Sequence, residues 1–431
     1  MTRYALFNLA ALGALIITPL ALAKKAPKHQ VEALRAQGAA GLQIALESDD
    51  DRLVDAVAGQ RYARYSELYW HTDLDAAIQT ATALNKPIVS LTLLGDLRDE
   101  YTCANSRFFR AFLYSHPDVA KMLRDEFVLH WASERDVPRV TVEFSDGRAL
   151  TRTITGNSVH YLLDADGTPI DALPGVFSPE AFLAELHGWK TLHAQVESAG
   201  DARALAVTRH HERALGGRSR RLVSALAEVR ATDAQLLSVD DQDVWNQQAT
   251  QWMSTGSYNL ASSIPAFLPM ELAVSKLWVE RPILRAIDPR QPTTTGESGA
   301  TLSPQDWRPP QGAEWQALGL LNPVSFHEQS VALMRSENPV GPAGGSETRM
   351  LERLRESVAA DTARNQYMLR PKIQSWFASG EVTDLRALNR RVYDEVFATP
   401  ATDPWLGMLD VDAYSGLING GVSVPTPAKG T

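Results

Sequence analysis

The chain is short of cysteine: its 431 residues include only Cys103. One thiol cannot close an internal disulfide, so Cys103 is either a buried inert group or an exposed one that reacts with something outside the chain. Positive charge is also in deficit. Forty-two Lys and Arg face 51 Asp and Glu, for a net charge of −9, which speaks against a nucleic-acid partner. The one basic cluster, Arg218 to Arg221 (RSRR), reads as a solvated helix start. Long apolar runs are missing beyond the first 20 or so residues, so no stable membrane insertion is expected of the mature chain. Residues 196–431 show neither an internal repeat nor a chemical motif.

The apolar N-terminus has the pattern of a secretory signal. Arg3 supplies a positive start, an apolar segment runs from Ala5 to Ile17, and Pro19 breaks it. Ala21-Leu22-Ala23 is a small-x-small cleavage site, so a signal peptide over 1–23 is expected to be cut after Ala23. No cysteine follows the cut, so no lipid anchor is indicated. The expected location is the bacterial periplasm or the exterior. What remains, with 44% hydrophobic and 22% charged residues in the whole chain, has the composition of a globular protein.

Four regions follow from the local patterns. Residues 24–60 are polar and alanine-rich, and read as an N-terminal arm with a short helix weakened by glycine. Residues 61–195 alternate between helix and strand. Asp73 to Leu84 reads as a helix capped by Thr72, Lys86 to Leu94 as an apolar strand, and Cys103 to Tyr114 as an amphipathic helix. Pro117 suits the first turn of another helix, and Phe127 to Trp131 reads as a second strand. The Asp146-Gly147 pair between alternating runs predicts a hairpin, and Asp166-Gly167 a second one. Pro179 to Leu192 closes the region as a helix. The pattern predicts a mixed central sheet flanked by helices, followed by a mostly α-helical domain over 196–431. Within the latter, 288–313 is rich in Pro, Gly, Thr and Ser and reads as a loop. Glu347 to Phe377 is a long helical stretch interrupted at Arg370-Pro371, and Asp384 to Phe397 is an amphipathic helix.

Cys103 stands where a strand and a polar loop give way to a helix. A helix start exposes backbone N–H groups and a partial positive charge, which favour a thiolate. Arg107, four residues on, adds a cation on the same face, while Asp96, Asp99 and Glu100 oppose it. Position after a polar loop favours an exposed thiol.

Residues 70–190 resemble a thioredoxin-like domain of the exported bacterial kind. The resemblance rests on Trp70 and the helix after it, Asn85-Lys86-Pro87 before the central strand, Cys103 at a helix start, and Pro117-Asp118-Val119. YLLDADGTPIDALPG and SPEAFLAEL complete it. It implies thiol–disulfide exchange or mixed-disulfide binding, with exported proteins or small thiols as partners and no cofactor. Two departures stand out. The family's C-x-x-C is here Cys103-Ala104-Asn105-Ser106, so Ser106 replaces the resolving cysteine. An outside thiol would then have to resolve any mixed disulfide. The place of the family's cis-proline reads Gly156-Asn157-Ser158-Val159, which makes 138–155 an insertion; Pro138 is the alternative. The resemblance thus implies Cys103 and Ser106 as catalytic positions, and Asn105, Arg107, Asn157 and Ser158 as residues that shape the substrate site. His160 joins them as a candidate base, against the blander reading of a core histidine. Peroxiredoxin and monothiol-glutaredoxin readings fail. The first needs proline and threonine where Asp96 and Glu100 stand, and the second needs a glycine-rich motif that is missing.

The alternative to thiol chemistry is an envelope binding or structural module that keeps the fold without redox activity. No metal site is expected. His210 and His211 are adjacent on a helix and point about 100° apart, so they do not form an i, i+4 pair. Trp376, Phe377, Tyr393, Phe397 and Trp405 read as core aromatics.

Overall fold

In this computed structural model, the structure describes residues 26–153, 156–230, 246–253, 310, 314–322, 324–337 and 347–404. The expected signal peptide, Trp405 and all of the 288–313 loop except Pro310 lie outside them.

The centre is a five-stranded mixed sheet. In chain order its strands are β1 (Trp70–His71), β2 (Ile88–Leu94), β3 (Val128–Arg135), β6 (Ser158–Leu163) and β7 (Pro169–Pro174), arranged β1-β3-β2-β6-β7. β1, β3 and β2 are parallel, whereas β6 runs antiparallel to β2, and β7 to β6. Every residue of β2, β6 and β7 is buried. Helices cover both faces, which is why these strands read as near-continuous apolar runs. β4 (Arg139–Glu143) and β5 (Ala149–Thr153) form a separate two-stranded ribbon, so the excursion between β3 and β6 adds no strand to the main sheet.

Helix starts follow local chemistry, with one correction. The helix Leu74–Leu84 is capped by Asp73, whose carboxylate accepts from the Ala76 N–H at 2.8 Å, not by Thr72. The Thr72 hydroxyl faces Arg35 instead. Pro117 occupies the first turn of Pro117–Glu126, and Ser178 caps the long helix Pro179–Ser198. The N-terminal arm holds more structure than its composition suggested: three helices, Lys28–Arg35, Ala39–Leu46 and Asp51–Ala58, which share an apolar core with the short helix Ala63–Ser66 just beyond it. They seat on the sheet edge. Arg35 donates to the Trp70 carbonyl at 3.0 Å, and Trp131 Nε1 donates to the Gly59 carbonyl at 2.8 Å. Gly59 has φ +77°, and a Cβ there would stand 2.9 Å from the Trp70 oxygen, so both backbone and space require glycine.

The helical C-terminal part shares the core of the sheet. Val358, Ile373, Trp376, Phe377, Val392 and Tyr393 pack in one cluster with Ile88, Tyr161 and Trp189. The junction carries a buried ionic network. Arg370 donates to Asp171 of β7 at 2.7 Å and pairs with Glu185 at 2.5 Å, and Trp189 Nε1 also donates to Asp171. Arg218 joins it, hydrogen-bonded to Gln374 and 3.9 Å from Glu185. The expectation of a solvated RSRR helix start is therefore corrected in part: the cluster lies in the interior of the helix Arg203–Arg230 and Arg218 is buried, while Arg220 and Arg221 are exposed. The interruption expected at Arg370-Pro371 is a π-helical turn, Asn365–Leu369, between Glu347–Arg364 and Arg370–Ala378. Such a turn frees the backbone ladder without ending the helix.

Candidate functional site

β2 ends at Leu94, and Gly95 takes φ +88° to turn the chain into the loop 95–103. The loop folds back onto the strand it left. The Cys103 N–H donates to the Leu94 carbonyl at 3.3 Å. Arg110, buried in the π-helical turn Phe109–Leu113 beyond the loop, donates to the carbonyls of Leu97, Asp99 and Glu100. One guanidinium thus satisfies three loop carbonyls and pins the loop down. The acidic residues point outward into ion pairs: Asp96 with Arg98, Asp99 with Arg139, Glu100 with Arg61.

Cys103 is the N-cap of the helix Ala104–Phe108, as expected, but it is 0% exposed. The expectation of an exposed thiol is corrected, and burial dominates the ionisation that the sequence left balanced between the helix start and the acidic loop. Burial pushes the thiol up, and this outweighs the Ser106 N–H and hydroxyl and the nearby Arg107, all of which favour the thiolate. Tyr114 and Tyr393 lie close enough to feel a charge on the sulfur. The loop that looked open is closed from both sides.

The other expected residues gather around this point, yet they serve one another. Asn105 Nδ2 donates to Ser158 Oγ at 2.9 Å, across the gap between the helix start and β6. Gly156 permits this, because a Cβ there would stand 2.7 Å from Asn105 Oδ1. Ser106 Oγ shares a hydrogen bond with Thr102 Oγ1 at 2.8 Å. Arg107 donates to Thr153 Oγ1 of the ribbon. Asn157 and Ser158 are buried at 1% and 0% exposure. His160 turns into the core. Its Nε2 and the Tyr114 hydroxyl are 2.7 Å apart, and the rings of Phe109 and Phe182 flank it. Burial lowers its pKa to about 3, so it is neutral and enclosed.

The closure comes from residues 384–404, which cross over Asn157. Asn157 Nδ2 donates to Thr399 Oγ1 at 3.0 Å, and the Tyr393 hydroxyl donates to the Asn157 carbonyl at 3.4 Å. Arg135, the last residue of β3, donates to the carbonyls of Thr399 and Asp403. Asn389 bridges Tyr161 and Glu134. Beneath these bonds Val392, Tyr393, Val396 and Phe397 are 0–3% exposed. At about 1.5–3 kcal/mol for each fully buried apolar side chain, lifting this strap would cost most of a domain's stability. It is part of the core.

No family model and no curated protein matches this chain.

The sequence reading placed Tyr393 in the core but missed its tie to Asn157, and it missed Thr399 and Arg110. Arg110 left a signal, a lone cation inside the apolar run FFRAFLY. Tyr393 and Thr399 left none, since their partner stands more than 230 residues away.

The adjacent histidines His210 and His211 do not form a metal pair, and a second histidine group was not legible in the sequence. His211 is spent on the fold: Nε2 donates to the Ile170 carbonyl at 2.9 Å and the ring stacks on Phe377. At the far end of β6, Asp164, His193 and Glu197 bring one ligand atom each within 4.8 Å of one another.

Proposed function

We propose that the chain is a non-enzymatic module of the bacterial envelope that keeps a thioredoxin-like scaffold without redox activity. The thioredoxin-like part of the reading is supported by the strand order, three parallel strands followed by two antiparallel ones, with Cys103 at the helix start after the central strand. The export part is supported by the signal-like pattern of residues 1–23. The silence of the thiol is carried by one observation: Cys103 is wholly enclosed by its own loop, by Tyr114 and by the C-terminal strap. A nucleophile that no disulfide can reach performs no exchange, and Ser106 could not resolve one. The surface left for work is then that of the scaffold and its helical half.

The competing reading is monothiol exchange with exported proteins or small thiols. It draws on Ser106, whose N–H and hydroxyl both lower the thiol's pKa. Desolvation of a fully buried sulfur outweighs them. The deciding experiment is the alkylation rate of the signal-free, folded chain between pH 4 and 10, which brackets the ordinary cysteine pKa of about 8.5. Reaction only after denaturant is added is the expected result. A fast native phase with a midpoint near or below about pH 7 would replace this reading with thiol exchange.

A further inference from the structure

The turn between β6 and β7 holds a group of side chains that the thiol region does not use. Asp164, the first residue after β6, is 1% exposed. His193 and Glu197 stand four residues apart on the helix Pro179–Ser198, so they project from one face, one turn above the other. Their exposure is graded, from 2% for the Asp164 side chain through 11% for His193 to 39% for Glu197. That makes a floor, a wall and a lip open to solvent.

The spacing matters as much as the residue types. His193 Nε2 lies 3.2 Å from Asp164 Oδ1. Two ligands on a tetrahedral zinc-class ion, with metal–ligand bonds of about 2.0–2.1 Å, stand about 3.3 Å apart. The pair is therefore already at coordination distance. The Ala165 N–H donates to the same carboxylate oxygen at 2.8 Å and fixes its direction, as outer-shell donors do in metal sites.

A cation occupies this corner already. The guanidinium of Arg203 pairs with Asp164 and lies 3.5 Å from Glu197. Its side chain is 40% exposed and comes from the first residue of the next long helix, so it can turn outward without disturbing the core. Two carboxylates and one imidazole against one guanidinium leave the corner one negative charge in excess.

We propose that Asp164, His193 and Glu197 form a site for a single divalent cation of the zinc class, with Arg203 as the resident cation that the metal displaces. Three protein ligands leave the fourth position to water. The site pins the β6–β7 turn to the end of the helix Pro179–Ser198 and is independent of the reading of Cys103.

The test is a titration of the full signal-free chain with Co2+, followed by its visible absorption, with Zn2+ as competitor. One Co2+ per chain is expected, with the intense bands of low-coordinate cobalt, and Zn2+ should abolish them. Arg203→Ala should tighten binding about tenfold by removing the competing charge. His193→Ala and Glu197→Gln should each weaken it by about tenfold or more. Glu197 is on the surface, so that variant tests the site even where His193→Ala fails to fold. The proposal is overturned if the wild-type and Arg203→Ala chains show no such bands at millimolar Co2+. It is equally overturned if Glu197→Gln binds as the wild type does.

Discussion

Asn157 and Thr399 are joined by a side-chain hydrogen bond of 3.0 Å that spans 242 residues of chain. The bond ties the start of β6 to the C-terminal strap, directly beside the helix start that carries Cys103. A loop whose composition suggests solvent contact is thereby placed under a lid that is itself part of the hydrophobic core.

The first prediction concerns the anchor of that lid. Tyr393 is 1% exposed and donates to the Asn157 carbonyl. Tyr393→Ala should cost about 3–5 kcal/mol, as large-to-small core changes do. It should also make Cys103 react with alkylating reagents under conditions where the wild-type thiol does not. Urea unfolding and a native alkylation time course check the two halves separately. A variant with the expected loss of stability and a still unreactive thiol would show that the loop alone protects the sulfur.

Acid should weaken the fold through its buried histidines. Burial lowers His130 to about 4, His160 to about 3 and His211 to about 4. In the unfolded chain each titrates near 6.5, so below that pH the unfolded state takes up protons that the native state refuses. The stabilisation is fully present above pH 6.5 and is lost as pH falls toward 4. The limiting slope is about 1.4 kcal/mol per pH unit for each histidine. Urea midpoints at intervals from pH 7 to pH 4 should fall, and His160→Asn should remove close to one proton from the slope.

A second acid-sensitive element is the Asp171–Arg370 pair. Burial by itself would raise the Asp171 pKa, but Arg370, with smaller help from His211, holds it well below the usual carboxylate range. The stabilisation is present above the unfolded value of about 3.9 and is lost as pH falls below it, at lower pH than the histidine effect. Arg370→Met leaves Asp171 buried and unpaired and should cost about 3–5 kcal/mol at neutral pH. The double variant with Asp171→Asn should recover part of that loss in a denaturation cycle.

Gly319 offers a steric test. A Cβ at this position would stand 2.5 Å from the Ala359 carbonyl carbon, where the helix Glu314–Leu320 crosses Glu347–Arg364. Backbone cannot yield as a side-chain tip can. Gly319→Ala should therefore destabilise by about 1–3 kcal/mol despite alanine's better helix propensity, and thermal unfolding reads the sign.

The alternating core region is legible in the sequence because its signals are local. Asp146-Gly147 and Asp166-Gly167 mark real turns, Pro117 starts a helix, and apolar runs become strands buried on both faces. The mixed character of the sheet and the helical character of the second half follow from the same patterns, whereas the strand order β1-β3-β2-β6-β7 comes from the structure alone. The site is legible only in its membership: Cys103, Asn105, Arg107 and Ser158 do meet. Its closure is not, because Tyr393, Asn389 and Thr399 act from a segment whose own pattern says only that it is an amphipathic helix. Arg218 misled for a related reason. It looks as solvated as Arg220 and Arg221 until Glu185 and Gln374, supplied by two other helices, provide it with partners.

Each rim of the main sheet has a carbonyl taken by a side chain from outside it. On the β1 side, Arg35 takes the outward carbonyl of Trp70, and on the β7 side, His211 takes that of Ile170. Strand addition, by which many scaffolds recruit extended peptides or further copies of themselves, needs such a rim with its donors and acceptors vacant. Strand addition to the main sheet would first have to displace Arg35 or His211, whereas the small β4–β5 ribbon stands apart from the sheet. The same two contacts oppose edge-to-edge pairing of two copies through the central sheet.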